Sequence, residues 1–185
     1  MSEREKMMNG ELYNPADNEL VINRLHAKSL CLKYNSLPLT AISEKREILR
    51  KLLAKYGNNS HIEPNFFCDY GYNIEFEGFV YINHNSVFLD CAKIKIGNNT
   101  FIGPNCGFYT AEHPIKVQDR IKGLEIARPI TIGEEVWIGG GVNILAGVTI
   151  GDRTVIGAGS VVTHDIPSDC VAVGNPCRVI KKIEN

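Results

Sequence analysis

Six aliphatic side chains recur every six residues without a slip: Ile132, Ile138, Ile144, Ile150, Ile156 and Val162, with Ile96 and Ile102 in the same register upstream. A second set stands two positions earlier, at Ile94, Ile130, Val136, Val142 and Val148. Alternation with period two specifies extended strands, and a fixed spacing of six leaves each strand only a few residues before the chain must turn. The pattern predicts a solenoid in which each six-residue segment forms one side of a coil and buries its aliphatics on the coils above and below. A β-sandwich would instead show turns every ~8–12 residues at variable spacing. Glycines follow the aliphatics at Gly97, Gly103, Gly133, Gly139, Gly151 and Gly157, and are expected to supply the unusual dihedrals of the corners.

The N-terminal third obeys a different rule. "ADNELVINRLHAKSLCLKYN" predicts a helix capped by Asp17, with Leu20, Ile22, Leu25, Leu30, Leu32 and Tyr34 on its apolar stripe. "SEKREILRKLLAKYG" predicts a second, started by Ser43 with Glu44 and Glu47, buried through Ile48, Leu49, Leu52 and Leu53, and stopped by Gly57. The expected organisation is a helical subdomain over 1–57, too poor in core to stand alone and suited to covering one end of the solenoid, then a β-helix domain over 58–185.

Composition narrows the partners. A formal net charge of -1 argues against general nucleic-acid binding. "MSEREKMMNG" is too charged for a signal peptide, and no stretch reaches the ~18 apolar residues of a membrane span. A cytoplasmic protein with neither nucleic acid nor membrane as partner is expected. The six cysteines, Cys31, Cys68, Cys91, Cys106, Cys170 and Cys177, lack tight ligand spacing and read as buried thiols. Without a secretory route the N-x-[ST] triplets at Asn58 and Asn98 carry no weight.

One segment breaks the repeat. "YTAEHPI" (109–115) opens a polar excursion over about 109–129 and sets His113 between Glu112 and Pro114. Loops projecting from a rigid scaffold are where reactive groups concentrate, and histidine is the side chain best suited to taking a proton near neutrality.

With "NGELYNPADNEL", "IEPNFFCDYGYNI" (62–74) and the segment 130–183 from "ITIGEEVWIGGG" to "CRVIKKI", "YTAEHPI" completes an ordered set spanning nearly the whole chain. It resembles the maltose/galactoside O-acetyltransferase family of hexapeptide-repeat acyltransferases. The resemblance implies a left-handed coil, although β crossovers are overwhelmingly right-handed. It also implies a homotrimer with acetyl-CoA and a sugar acceptor between subunits, and direct transfer of acetyl to a hydroxyl of a sugar such as maltose or glucose, at C6.

Matched position by position, the resemblance makes His113 the general base, Asn83 of "YINHNS" an acceptor contact that fixes the reacting geometry, and Gly140 of "WIGGG" the backbone donor to the oxyanion. Asn83 also suits a solenoid corner with left-handed dihedrals. The resemblance implies Asp17 and Asp69 on the acceptor side, Asp17 being equally the helix cap; Asp90 falls in the inward register of Ile96 and Ile102, and a buried aspartate in need of partners there is a candidate for the acceptor pocket. Glu125 is placed to orient His113 by a hydrogen bond. Ala158, Thr163, His164, Arg178, Lys181 and Lys182 match the positions that hold acetyl-CoA. Cys91 replaces an acidic residue of the galactoside branch, which weakens a galactoside assignment, and Trp137 reads as a packing or intersubunit residue.

Three other readings use the same coil. Galactosides, serine or an antibiotic are alternative acceptors. A carbonic-anhydrase-like zinc site would draw on His26, His61, His84, His113 and His164, but Gln118 stands where its second histidine is needed, so no metal is expected. A non-catalytic scaffold would make His113 dispensable.

Overall fold

A computed structural model of the chain describes residues 1–57 and 59–184. Asn58, where the second domain and one N-x-[ST] triplet were placed, lies outside the described residues, as does Asn185. From His61 onward the chain winds as a left-handed parallel β-helix with three faces. The first face stacks His61–Ile62, Val80–Ile82, Thr100–Ile102, Trp137–Ile138, Val155–Ile156 and Cys170–Val173, and the closing strand Arg178–Lys182 pairs antiparallel with the last of them. The second face stacks Phe67–Cys68, Val87–Leu89, Gly107–Tyr109, Asn143–Ile144 and Val161–Val162, and the third stacks Ile74–Phe76, Ile94–Ile96, Ile130–Ile132 and Thr149–Ile150. Both aliphatic sets point inward and are at most 2% exposed. Upstream, where the second face needs larger fillers, Phe88 and Phe108 stack at 4.3 Å between ring centres.

The coil is not uniform. Downstream, one turn takes three hexapeptides, as from Ile144 to its register partner Val162. Upstream the turn runs slightly longer, as from Cys68 to Phe88 and from Phe88 to Phe108. The extra length enters between the second and third faces, at 69–73 and 90–93. The excursion that follows Tyr109 leaves from the same corner.

The glycines after the aliphatics act through close packing, which corrects their expected role. A Cβ on Gly139 would lie 2.6 Å from the Ala158 nitrogen of the next coil, which leaves no room for a side chain. Left-handed dihedrals fall further along the chain, on Asn85, Asn105, Gly141 and Gly159 at one corner and on Asn99, Glu135 and Arg153 at another. Asn83 is not among them, so the corner-dihedral explanation of that residue falls away.

Among the described residues four helices complete the fold: α1 (Glu3–Met8), α2 (Asn18–Ser36), α3 (Ile42–Leu52) and α4 (Val117–Arg120), the last within the excursion. The short α1, which periodicity does not announce, is set by a Ser2–Glu5 capping box. The Asp17 side chain accepts from the Glu19 N–H at 3.0 Å and caps α2. Its buried stripe is Leu20, Ala27, Cys31 and Tyr34, whereas Ile22, Leu25 and Leu32 are more than 60% exposed. The expected stripe fails because residues two apart project from opposite sides of a helix. Ser43 does not cap α3, which begins one position earlier without a side-chain cap and ends well before Gly57. Ile48, Leu49, Leu52 and Leu53 are buried as expected. α2 and α3 share one core with the coil: Tyr34 donates to the Ile62 carbonyl, and Asn35 both donates to the Phe66 carbonyl and accepts from the Asn65 and Phe66 N–H groups. No helix among the described residues is long and apolar enough to cross a membrane, and all six cysteines are buried free thiols.

Candidate active site

The excursion opens with a short antiparallel hairpin, Ala111–Glu112 against Ile126–Ala127, closed by Arg128 reaching the Glu112 carboxylate. His113 follows its first strand and Glu125 precedes its second, so the hairpin sets the two side by side. Nδ1 of His113 lies 3.1 Å from the Leu124 carbonyl. A carbonyl only accepts, so Nδ1 carries the proton of the neutral ring and Nε2 is left with its lone pair. Nε2 lies 3.9 Å from a Glu125 carboxylate oxygen, too far for a hydrogen bond but close enough to stabilise a protonated imidazole. Orientation of the ring therefore comes from the Leu124 carbonyl, not from the Glu125 hydrogen bond expected of the sequence.

Glu125 is itself fixed from the N-terminal segment. The Tyr13 hydroxyl donates to Glu125 Oε2 at 2.5 Å, and the two backbones exchange N–H···O bonds of 2.9 and 3.0 Å. Tyr13 is fully buried, and burial drives its hydroxyl pKa far up, so it stays a donor. Tyr13 belongs to the "GELY" stretch, but nothing local to that stretch announces a partner in the distant excursion.

Beside Glu125 opens a cleft of about 390 Å³ lined by Pro15, Arg24, Lys28, Asp69 and Cys91 among others. Asp69 faces it, with Lys28 Nζ at 3.7 Å; burial raises the carboxyl pKa against the pull of Lys28 and Arg24. Arg24 is held by the Pro15 carbonyl and the Tyr70 hydroxyl, both at 2.6 Å. Arg24 and Lys28 were missed by sequence reasoning because α2 was read for its apolar stripe alone. Burial pushes the Cys91 thiol up to about 12, which makes it an inert wall.

Asp90 is placed differently from its expected role as an acceptor contact. It is 0% exposed, and its carboxylate turns into the chain, accepting from the backbone N–H groups of Asp69 and Tyr70 at 3.0 and 2.8 Å and of Asn73 at 3.4 Å. It holds the turn that presents Asp69. Asp17, spent as a helix cap, follows the cleft-lining Pro15 and Ala16.

The remaining candidates fall at two corners of the prism. Asp69, His113 and Thr163 leave the end of the second face, whereas Asn83, Gly140 and Ala158 follow the end of the first. The Gly140 carbonyl accepts from Gly159 N–H, so its coil and the Ala158 coil are in direct register. His164, its Nδ1 2.8 Å from the Thr163 hydroxyl, lines a cleft of about 430 Å³ with Arg178, and Lys181 lies on the closing strand opposite Val171. One chain thus brings His113, Glu125 and Asp69 together but leaves Asn83 and Gly140 at another edge. Among the described residues no group of three or more His, Cys, Asp or Glu side chains is arranged to hold a metal ion.

The maltose acetyltransferase hexapeptide capping motif matches residues 6–57, and hexapeptide-repeat patterns match 93–122 and 129–164. The crystal structure of a maltose O-acetyltransferase from Clostridium difficile 630 is 49% identical, covers 100% of this chain and 99% of its own, and superposes with a TM-score of 0.98. The chain belongs to the maltose/galactoside O-acetyltransferase family. A galactoside acetyltransferase solved in complex with coenzyme A is 36% identical over 100% of this chain and 92% of its own, with a TM-score of 0.93. A hexapeptide-repeat acetyltransferase of Vibrio cholerae O1 biovar eltor, complexed with acetyl coenzyme A, is 39% identical over the full length of both chains, with a TM-score of 0.92. Within this acetyltransferase family, the capping-motif match covers α2, α3 and the segment carrying Tyr13.

Proposed function

We propose that the chain transfers the acetyl group of acetyl-CoA directly to a hydroxyl, the primary one at C6, of a sugar such as maltose or glucose. The observation that carries this reading is the bond from His113 Nδ1 to the Leu124 carbonyl, which leaves Nε2 as a base beside a cleft whose polar walls are Arg24, Lys28, Asp69 and Glu125. The acceptor hydroxyl gives its proton to Nε2 as its oxygen attacks the thioester carbonyl. The Gly140 N–H stabilises the oxyanion; on collapse the C–S bond breaks and the imidazolium protonates the thiolate. Glu125 favours the charged ring between the two proton transfers, and paired carboxylates and cations suit a polyol with several hydroxyls.

Asn83 and Gly140 would reach this centre from a neighbouring copy in a homotrimer, with acetyl-CoA running between copies along Ala158, Thr163, His164, Arg178 and Lys181. Two exposed apolar surfaces favour that assembly. Phe101 and Trp137 stand outward in register on the first face, and the excursion tip presents Ile115, 93% exposed, with Val117 and Ile121.

Thiol release from acetyl-CoA with glucose, maltose, a thiogalactoside and serine tests the acceptor class. The two glucose-containing sugars are expected to give kcat/KM at least about tenfold above serine, since a site built to bond several hydroxyls is left with unpaired polar walls by an acceptor lacking them. Serine as the best acceptor, or release unaffected by any of the four, contradicts the sugar assignment.

A further inference from the structure

A second cleft, of about 380 Å³, lies between α3 and the start of the coil and shares no lining residue with the acceptor cleft. Its apolar walls are Leu39, Ile42, Leu49 and Tyr56, and its volume falls at the small end of the range for ligand pockets. Lys45 lines it at 9% exposure, with its ammonium 5.1 Å above the Tyr34 ring centre. No carboxylate lies within 4 Å of that ammonium among the described residues.

The other buried or half-buried polar groups of the wall are committed elsewhere. Tyr34 donates to the Ile62 carbonyl, Tyr56 to the Ser60 carbonyl and Ser60 to the Gly78 carbonyl. Glu63 is shared by His61 at 3.1 Å, Tyr81 at 3.3 Å and His84 at 3.9 Å. An ammonium set at a largely apolar cleft, with no carboxylate within 4 Å and no hydrogen-bond partner among the described residues, is open to pairing with an anionic ligand. Arg46, exposed at the rim, adds a second cation.

We propose that this cleft binds a small amphiphilic monocarboxylate, its carboxylate on Lys45 and its hydrocarbon body against Leu39, Ile42, Leu49 and Tyr56. One cation held over an aromatic ring suits a single negative charge, and the apolar walls disfavour a fully hydrophilic anion.

Octanoate is the probe, titrated calorimetrically into the full chain, with octan-1-ol and acetate as the uncharged and chainless controls. Saturable binding of one octanoate per chain is expected, at least about tenfold tighter than either control. Lys45→Met, which keeps the length of the stem, is expected to lose about tenfold or more of that affinity. Leu39→Asp, at a 72% exposed position where folding is undisturbed, is expected to weaken octanoate more than octan-1-ol, since both lose an apolar wall but only octanoate meets the added negative charge. His113→Ala is expected to bind octanoate as the wild type does. Equal affinity for octanoate and octan-1-ol, wild-type affinity in Lys45→Met, or no saturable binding at millimolar octanoate overturns the proposal.

Discussion

Replacing His113 with alanine is expected to lower kcat about 10²–10⁴-fold while leaving the affinity for acetyl-CoA and the melting temperature nearly unchanged. The range is what a positioned general base contributes. The fold is indifferent because the side chain is 56% exposed and its one hydrogen bond goes to a carbonyl that water can serve instead. Stopped or steady-state thiol release at saturating acceptor, beside a thermal melt and acetyl-CoA titration, separates the outcomes. An equal loss in kcat and cofactor affinity would mean that the residue shapes the site, not that it moves the proton.

The second large effect concerns stability. Asp90→Ala removes the acceptor of three backbone N–H groups in a dry corner, and each orphaned donor costs roughly 1–3 kcal/mol before relaxation. A loss of about 3 kcal/mol or more is expected, which for a chain of this length lowers Tm by about 10 °C. Activity should fall as well, since the same turn presents Asp69. The carboxyl also couples stability to pH: burial raises its pKa from 3.8 to about 7, against the opposing pull of its backbone donors. An acid whose folded pKa is raised gives its full stabilisation below the unfolded value and loses it as pH climbs through the folded one. Wild-type stability should therefore carry a component that fades between about pH 4 and pH 7 and is absent in Asp90→Asn. An Asp90→Ala variant that melts with the wild type would show that the corner does not depend on this carboxylate.

The coil was legible in the sequence because its determinant is one-dimensional. Ile132 to Val162 keep their spacing, every one is buried, and the breaks in that spacing at 69–73, 90–93 and after Tyr109 all fall on one corner, which is where the cleft beside Glu125 opens. The helices were read less well. In the coil burial repeats with the chain, whereas α2 is buried wherever the first coil happens to lie, so Ala27 and Cys31 replace Ile22, Leu25 and Leu32. Within the candidate site, the residues proposed to carry chemistry are named from sequence, but their partners could not be. The Leu124 carbonyl has no side-chain identity to notice, Tyr13 meets Glu125 from a remote part of the chain, and Arg24 and Lys28 reach the cleft only through the docking of α2 on the coil. Asp90 was recognised as needing partners; that those partners would be backbone groups depended on the turn that its own carboxylate holds together.

On the proposed mechanism the reaction centre is shared, with His113 supplied by one copy and Asn83 with Gly140 by its neighbour. Mixing separately inactive His113→Ala and Asn83→Ala chains, after unfolding and refolding them together, tests this by thiol release. In an equal mixture about a quarter of the shared sites pair an intact His113 with an intact Asn83, so recovery of about a quarter of wild-type activity is expected. If both residues act from the same chain every site keeps one defect, and a mixture no more active than its components would rule out the shared centre.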